Sequence, residues 1–346
     1  MSSEQKKQNR IVQFASCILP TAFFFLLTAH CSQLTAFASS WTRQPSGTMA
    51  WLHAIHFLDQ NRGWVAGSNG TLLQTIDGGA SWKRTSLGIK DDLRDVYFSD
   101  ETTGWILAQR DPLRLKPLEP SSYLLSTNDG GVTWQPLFLN TTDVNTRFAR
   151  LVFTDAQHGW VFGETGALFA TTDGGAHWIP QRSATNHLLL GGAVANDGRG
   201  FLVGAGGTIL RSNDYGATWQ SLSLRNSAPA RLSAVSVIGN IAWTVGGDRI
   251  FRTIDSGRTW SIQQLNTSAN LFDIKFIDAK EGWAVGNQGM LLHTSDGGMR
   301  WSVESIQSAR SLERLFVLDR NHAWVVGFGG TILKLGATNA PPQLKS

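Results

Sequence analysis

Cysteine is nearly absent from this 346-residue sequence: there are two, Cys17 and Cys31. Both precede the small-residue run Ala36-Phe37-Ala38 that suits signal peptidase cleavage before Ser39. Removal of residues 1–38 would leave no thiol, which excludes disulfides, thiolate metal sites and cysteine nucleophiles together. Charge is scarce too, at 16% of residues. Losing Lys6, Lys7 and Arg10 along with Glu4 takes the net charge from +4 to +2, which is no electrostatic footprint for nucleic acid. Beyond the apolar run Ile18 to Ala29 no segment approaches membrane-spanning length, so the remainder is expected to be soluble once exported. Two other uses of the leader compete with cleavage: an uncleaved anchor over Ile11 to Ala29, and lipid attachment at Cys31, which His30 disfavours because that signal wants a small residue there.

Histidines do not cluster. His53 and His56 stand three apart on one predicted strand and would face opposite sides, a poor metal pair. Glycine-rich stretches such as Gly204-Ala205-Gly206-Gly207 lie between strands and open no helix, so no phosphate loop is expected. Neither a metal nor a cofactor is implied.

Glycine (36) and tryptophan (14) are abundant instead. A Ser/Thr-x-Asp-x-Gly-x-x-Trp element occurs six times, with its aspartates at Asp77, Asp129, Asp173, Asp214, Asp255 and Asp296 and its tryptophans at Trp82, Trp134, Trp178, Trp219, Trp260 and Trp301. Successive tryptophans are 52, 44, 41, 41 and 41 residues apart. Each element follows an apolar run and, before that, a Gly-Trp-Val-x-Gly-like strand; seven such strands centre on Trp64, Trp105, Trp160, Phe201, Trp243, Trp283 and Trp324. An alternating run lies further upstream in each unit, so four short strands recur about every 41 residues, the size of a propeller blade. The aspartate can accept N–H bonds across a tight turn, the glycine takes positive φ, and the tryptophan returns the chain to the core. Thirteen of the fourteen tryptophans hold repeat positions and are expected in the core; Trp51 does not.

The ends supply the closure. The seventh unit stops after Thr331 to Lys334 without a box, while Trp41-Thr42-Arg43 resembles Trp82-Lys83-Arg84 and lies 41 residues before it. The expected fold is all-β, a seven-bladed propeller of four-stranded antiparallel blades, closed by the Trp41 strand completing the last blade. Residues 1–38 read as a signal peptide, 39–336 as the propeller and 337–346 as a disordered tail.

With these units in hand, for example Gly63 to Gly67 through Asp77-Gly78-Gly79 to Trp82, the chain resembles the Asp-box, or bacterial neuraminidase repeat, propellers. Within them, over roughly residues 41 to 335, it looks most like the photosystem II stability and assembly factor family. The resemblance implies a lumenal or periplasmic, chaperone-like binder of a membrane protein, with arginines on one face taking part. The same repeat also implies two rivals: a secreted or envelope protein or glycan binder, and a glycoside hydrolase. A hydrolase needs paired carboxylates, or a tyrosine nucleophile beside a glutamate. Only Tyr97, Tyr123 and Tyr215 are available; Asp95 and Asp273 lie four blades apart in sequence order, and Tyr123 has only Glu119 near it.

In such a blade the box lies on the face away from the usual binding surface, so the six aspartates are read as structural and not as calcium ligands. On the opposite face the second blade inserts Gln109 to Ser122, with Arg110, Arg114 and Lys116 among three prolines. Arg94, Arg150 and Arg314 start innermost strands on that face, with Arg147 and Arg231 in nearby links. Guanidinium groups suit planar recognition of carboxylates, and these eight cations are the expected partner-binding residues. Neutralisation by Asp95, Asp273 and Glu313 is the alternative. A closed ring has no built-in need to associate, so a monomer is expected.

Overall fold

The computed structural model describes residues 40–222, 224, 231–265, 267–306 and 308–336. The expected signal peptide and tail lie outside them. Seven four-stranded antiparallel sheets follow one another around a ring. Their innermost strands are Leu52–Phe57, Asp92–Phe98, Phe148–Phe153, Leu189–Val194, Ala234–Ile238, Leu271–Phe276 and Leu312–Val317, for blades 1 to 7 in order. Each packs against the next, and that of blade 7 packs against that of blade 1. The seventh sheet takes its outer strand from the N-terminus: Ser40–Gln44 pairs antiparallel with Thr331–Gly336, Trp41 opposite Leu335. The expected closure is therefore the observed one.

The second strand of each blade is buried along its whole length or nearly so, which explains why it reads as a continuous apolar run between glycines. Burial is organised between blades. Seven apolar clusters form, one at each junction, so every blade depends on two neighbours for its core.

The boxes do more than close hairpins. In blade 1 the Thr75 hydroxyl donates to Asp77 Oδ1 (2.7 Å) and accepts from Gly79 N–H (2.9 Å), while Asp77 accepts from Ser81 N–H (2.9 Å). Hydrogen bonds from the Ser81 hydroxyl, the Ser81 N–H and the Thr75 hydroxyl hold the Asp77 carboxyl down at about 2. Four of the six turns then present a glycine carbonyl to an indole of the preceding blade. Trp105 donates to Gly174 O (3.1 Å), Trp160 to Gly216 O (3.3 Å), Trp243 to Gly297 O (2.9 Å) and Trp324 to Gly78 O (3.0 Å). Gly78 has φ of +69°, and a Cβ there would meet the Gln60 carbonyl at 2.6 Å. Blade 7 has no box, and the indole N–H of Trp283, which faces it, is buried without an acceptor among the described residues.

The tryptophans divide into two populations. Those of the second strands are buried, but Trp82, Trp134, Trp178, Trp260 and Trp301 of the boxes are only half-buried; Trp219 alone of the six is fully covered. Four of the half-buried rings meet inner-strand phenylalanines edge-on, as Trp82 does Phe57 at 6.0 Å and Trp301 does Phe276 at 5.8 Å, while Trp260 meets the second-strand Phe201. Three of those inner-strand phenylalanines, Phe57, Phe98 and Phe276, stack on the second-strand tryptophan of the blade before, Phe57 on Trp324 at 3.7 Å. The expectation of uniformly buried tryptophans is corrected accordingly: the box ring is a lid on the aromatic stack.

Candidate functional site

Where the innermost strands begin, six of the seven carry a β-bulge. The extra residue is His53, Arg94, Ala149, Leu190, Phe272 or Glu313, in blades 1, 2, 3, 4, 6 and 7. A bulge leaves one residue unpaired and re-aims its side chain. All of these but His53 line a cavity of about 550 Å³ at the channel mouth. Arg150, Arg231 and Arg314 line it too, with Trp51. Four arginines thus face one glutamate. Across the ring the lining turns apolar, through Ala149, Leu190, Leu271 and Phe272.

Arg94 Nη1 lies 3.3 Å from both ring nitrogens of His53, and Arg94 Nε is buried with no acceptor among the described residues. Burial lowers the Arg94 pKa, and burial together with the Arg94 charge pushes His53 down to about 3, so the imidazole is neutral and adds no second positive charge beside Arg94. Arg150 Nε donates to Leu190 O at 2.8 Å, and its Nη1 is 3.9 Å from Asp95. Arg314 Nε donates to His53 O at 3.2 Å. Backbone carbonyls of neighbouring blades therefore aim two guanidinium groups, and only Arg150 has a carboxylate within 4 Å among the described residues.

Two of the acidic residues expected to neutralise the rim, Asp95 and Asp273, also bind backbone N–H groups. Asp95 accepts from Val96 N–H and, across the junction, Leu151 N–H, both at 3.2 Å. Asp273 accepts from Ile274 N–H (3.0 Å) and from Leu315 N–H in blade 7 (2.9 Å). Burial raises the pKa of both, and that of Glu313. Although four blades apart in sequence order, Asp95 and Asp273 line one cavity of about 230 Å³ deeper in the channel, with Arg150, Lys275 and Arg314. The ring curvature joins them, and each is an inter-blade clamp.

The eight expected cations separate. Arg94, Arg150, Arg231 and Arg314 share the mouth, whereas Arg110, Arg114 and Arg147 line a groove of about 270 Å³ under the blade 2 insertion, and Lys116 lines neither. Gln109 and Ser122 are paired strand ends, so the inserted loop is shorter than expected, Arg110 to Ser121. Arg110 sits 4.6 Å over the Tyr123 ring, 3.8 Å from Glu119, and donates to Pro120 O: it staples the loop from inside. Arg114 is exposed and 3.6 Å from Asp111. The sequence set Trp51 apart as the tryptophan outside the repeat, but its pairing with Phe328 at the rim escaped notice, because no period links the two.

The family model of the photosynthesis system II assembly factor YCF48 matches residues 34–114, 82–189, 180–268 and 254–339. The chain belongs to this family. It is similar to the photosystem II assembly lipoprotein Ycf48 of Picosynechococcus sp. (strain ATCC 27264 / PCC 7002 / PR-6), 50% identical over 46 residues that make up 13% of each protein. Among solved structures it resembles YCF48 from Cyanidioschyzon merolae, with a TM-score of 0.69 and 20% identity over 87% of this chain and all of that one. A structure of YCF48 bound to D1 peptide matches at a TM-score of 0.69 and 20% identity, over 86% of this chain and 96% of that one. Identity at that level speaks for the fold, and the family membership rests on the model that covers the ring.

Proposed function

We propose that this YCF48-family propeller is an exported, non-catalytic assembly factor that holds an acidic segment of a photosystem II subunit at the mouth of its channel. The observation that carries the reading is Arg94, a partly buried guanidinium whose Nε has no acceptor and which has no carboxylate within 4 Å among the described residues, in a cavity that it shares with three more arginines and one glutamate. Keeping such a charge from water is unfavourable until an anion joins it, and arginine meets carboxylates in a planar, bidentate geometry. Family membership and the D1 peptide in a YCF48 complex point to a D1-type segment as the first partner to try. Asp95 and Asp273 are spent on backbone N–H groups, which speaks for binding over hydrolysis. The leader fits an exported site of action, the thylakoid lumen in a phototroph or the periplasm otherwise, with the ring acting as a monomer.

The test is capture. Tagged full-length protein, cross-linked in membranes of a phototroph and purified, is expected to bring down a D1-type subunit. Replacing Arg94, Arg150 and Arg314 together by alanine should remove that subunit and leave the fold intact. Wild-type protein that captures no photosystem subunit would refute the assignment.

A further inference from the structure

We infer that the mouth carries an apolar subsite, built by Trp51 and Phe328, that takes a bulky apolar side chain of the same segment whose carboxylate meets the arginines. The inference rests on the binding role proposed above and specifies which acidic segments fit.

The fold does not ask for these two rings. Trp51 immediately precedes the first buried residue of its innermost strand, and the same register holds Asp92, Arg147, Asn270 and Ser311 in blades 2, 3, 6 and 7, and Leu188 in blade 4. Phe328 follows the residue paired with the first buried residue of the innermost strand in blade 7, a register that holds Ser68, Gln109, Glu164, Ala205 and Asn287 in blades 1, 2, 3, 4 and 6. Two aromatic side chains thus occupy mostly polar registers on adjoining blades. Their rings lie 5.7 Å apart at 81°, and they remain 42% and 52% exposed. A large aromatic pair left in water at the edge of a polar cavity marks a contact surface more often than a packing need.

The backbone holds both in place. Trp51 N–H donates to Ser68 Oγ (3.0 Å) and Trp51 O accepts from Ser68 N–H (2.8 Å), while Phe328 N–H donates to Ser311 O (2.9 Å). Trp51 also lines the cavity shared with Arg94 and Glu313, its ring 5.4 Å from that of His53. The apolar and cationic surfaces are therefore continuous. The cationic mouth selects an anionic occupant, and the rings select one with an apolar side chain next to its carboxylate: an acidic-apolar segment of a partner protein.

An array of short synthetic peptides tests this, each carrying an aspartate pair or, in its matched counterpart, an asparagine pair, while the neighbouring positions vary among leucine, phenylalanine, methionine, serine and lysine. Full-length protein is expected to favour leucine, phenylalanine or methionine over serine by about tenfold, the effect of burying one such side chain. Trp51→Ser and Phe328→Ser should abolish that preference, keep the preference for aspartate, and leave the melting temperature unchanged; Trp51→Phe should restore it in part. Equal binding of leucine and serine peptides, or an apolar preference that survives both serine variants, would overturn the subsite while leaving the arginine site standing. So would serine variants whose only defect is weaker binding to anionic lipid vesicles. Loss of the aspartate preference in the wild type would instead sink the arginine site itself.

Discussion

The indole N–H of Trp324, in the last blade, donates to the carbonyl of Gly78 in the first, 3.0 Å away. That hydrogen bond crosses the junction where the ring closes, and the Trp324 ring is stacked on Phe57 of blade 1. One residue thus supplies both polar and apolar adhesion between blades far apart in sequence.

Trp324→Phe is expected to keep the stacking and leave the buried Gly78 carbonyl without its donor, lowering stability by about 1–3 kcal/mol in urea denaturation. Gly78→Ala should do at least as much, since its Cβ meets the Gln60 carbonyl and its φ is positive. An unchanged midpoint for both would show that the box does not latch blades.

Deleting residues 39–46 should open the ring. Ser40–Gln44 is the outer strand of blade 7, and Trp41, Leu333 and Leu335 share one buried cluster. The truncated protein is expected to lose cooperative unfolding and to aggregate through the bared edge of Thr331–Gly336. A monomer with the wild-type melting temperature would contradict the closure.

The insertion separates two kinds of arginine. Arg110→Ala removes the staple over Tyr123 and beside Glu119, and is expected to lower stability by about 1 kcal/mol. Arg114→Ala and Lys116→Ala, at the loop surface, should leave the melting temperature unchanged. The reverse order would mean that the loop is held from its tip.

Two histidines set a pH dependence. Burial and the Arg94 charge lower His53 to about 3, and burial lowers His56 to about 4, both below the ordinary 6.5. The folded ring then binds fewer protons than the unfolded chain in this range, so their contribution to stability is complete above pH 6.5 and is lost as pH falls toward 4. Asp95, Asp273 and Glu313 are shifted upward, and their protonation in acid acts in the opposite direction. His56→Gln, which keeps a donor for the Phe98 carbonyl, is expected to recover about 1–2 kcal/mol of the stability lost between pH 7.5 and pH 5. A variant whose loss equals that of wild type would remove His56 from the account.

Blade number, closure and the position of the boxes were legible because they are written as period: the Asp77-to-Trp82 unit recurs, and Trp41 stands one period before Trp82. The mouth was legible only in part. Arg94, Arg150 and Arg314 were recognisable as strand starts, but a bulge shifts the two-residue alternation by one, so no strand pattern reveals that Arg94 and Glu313 are the residues turned out of register. Asp95 and Asp273 look distant because sequence order hides curvature. Trp105 reaching Gly174 could not be read either, since neither residue departs from its own repeat.

The central claim is that the arginine mouth holds an acidic segment of a photosystem subunit. Its most direct test is titration of full-length protein with a D1 peptide across a salt series, compared with the Arg150→Ala, Arg314→Ala double variant. Wild type is expected to bind, to weaken steeply as salt rises, and to exceed the variant by at least about tenfold in affinity. Binding that ignores salt and is equal in the two proteins would contradict it.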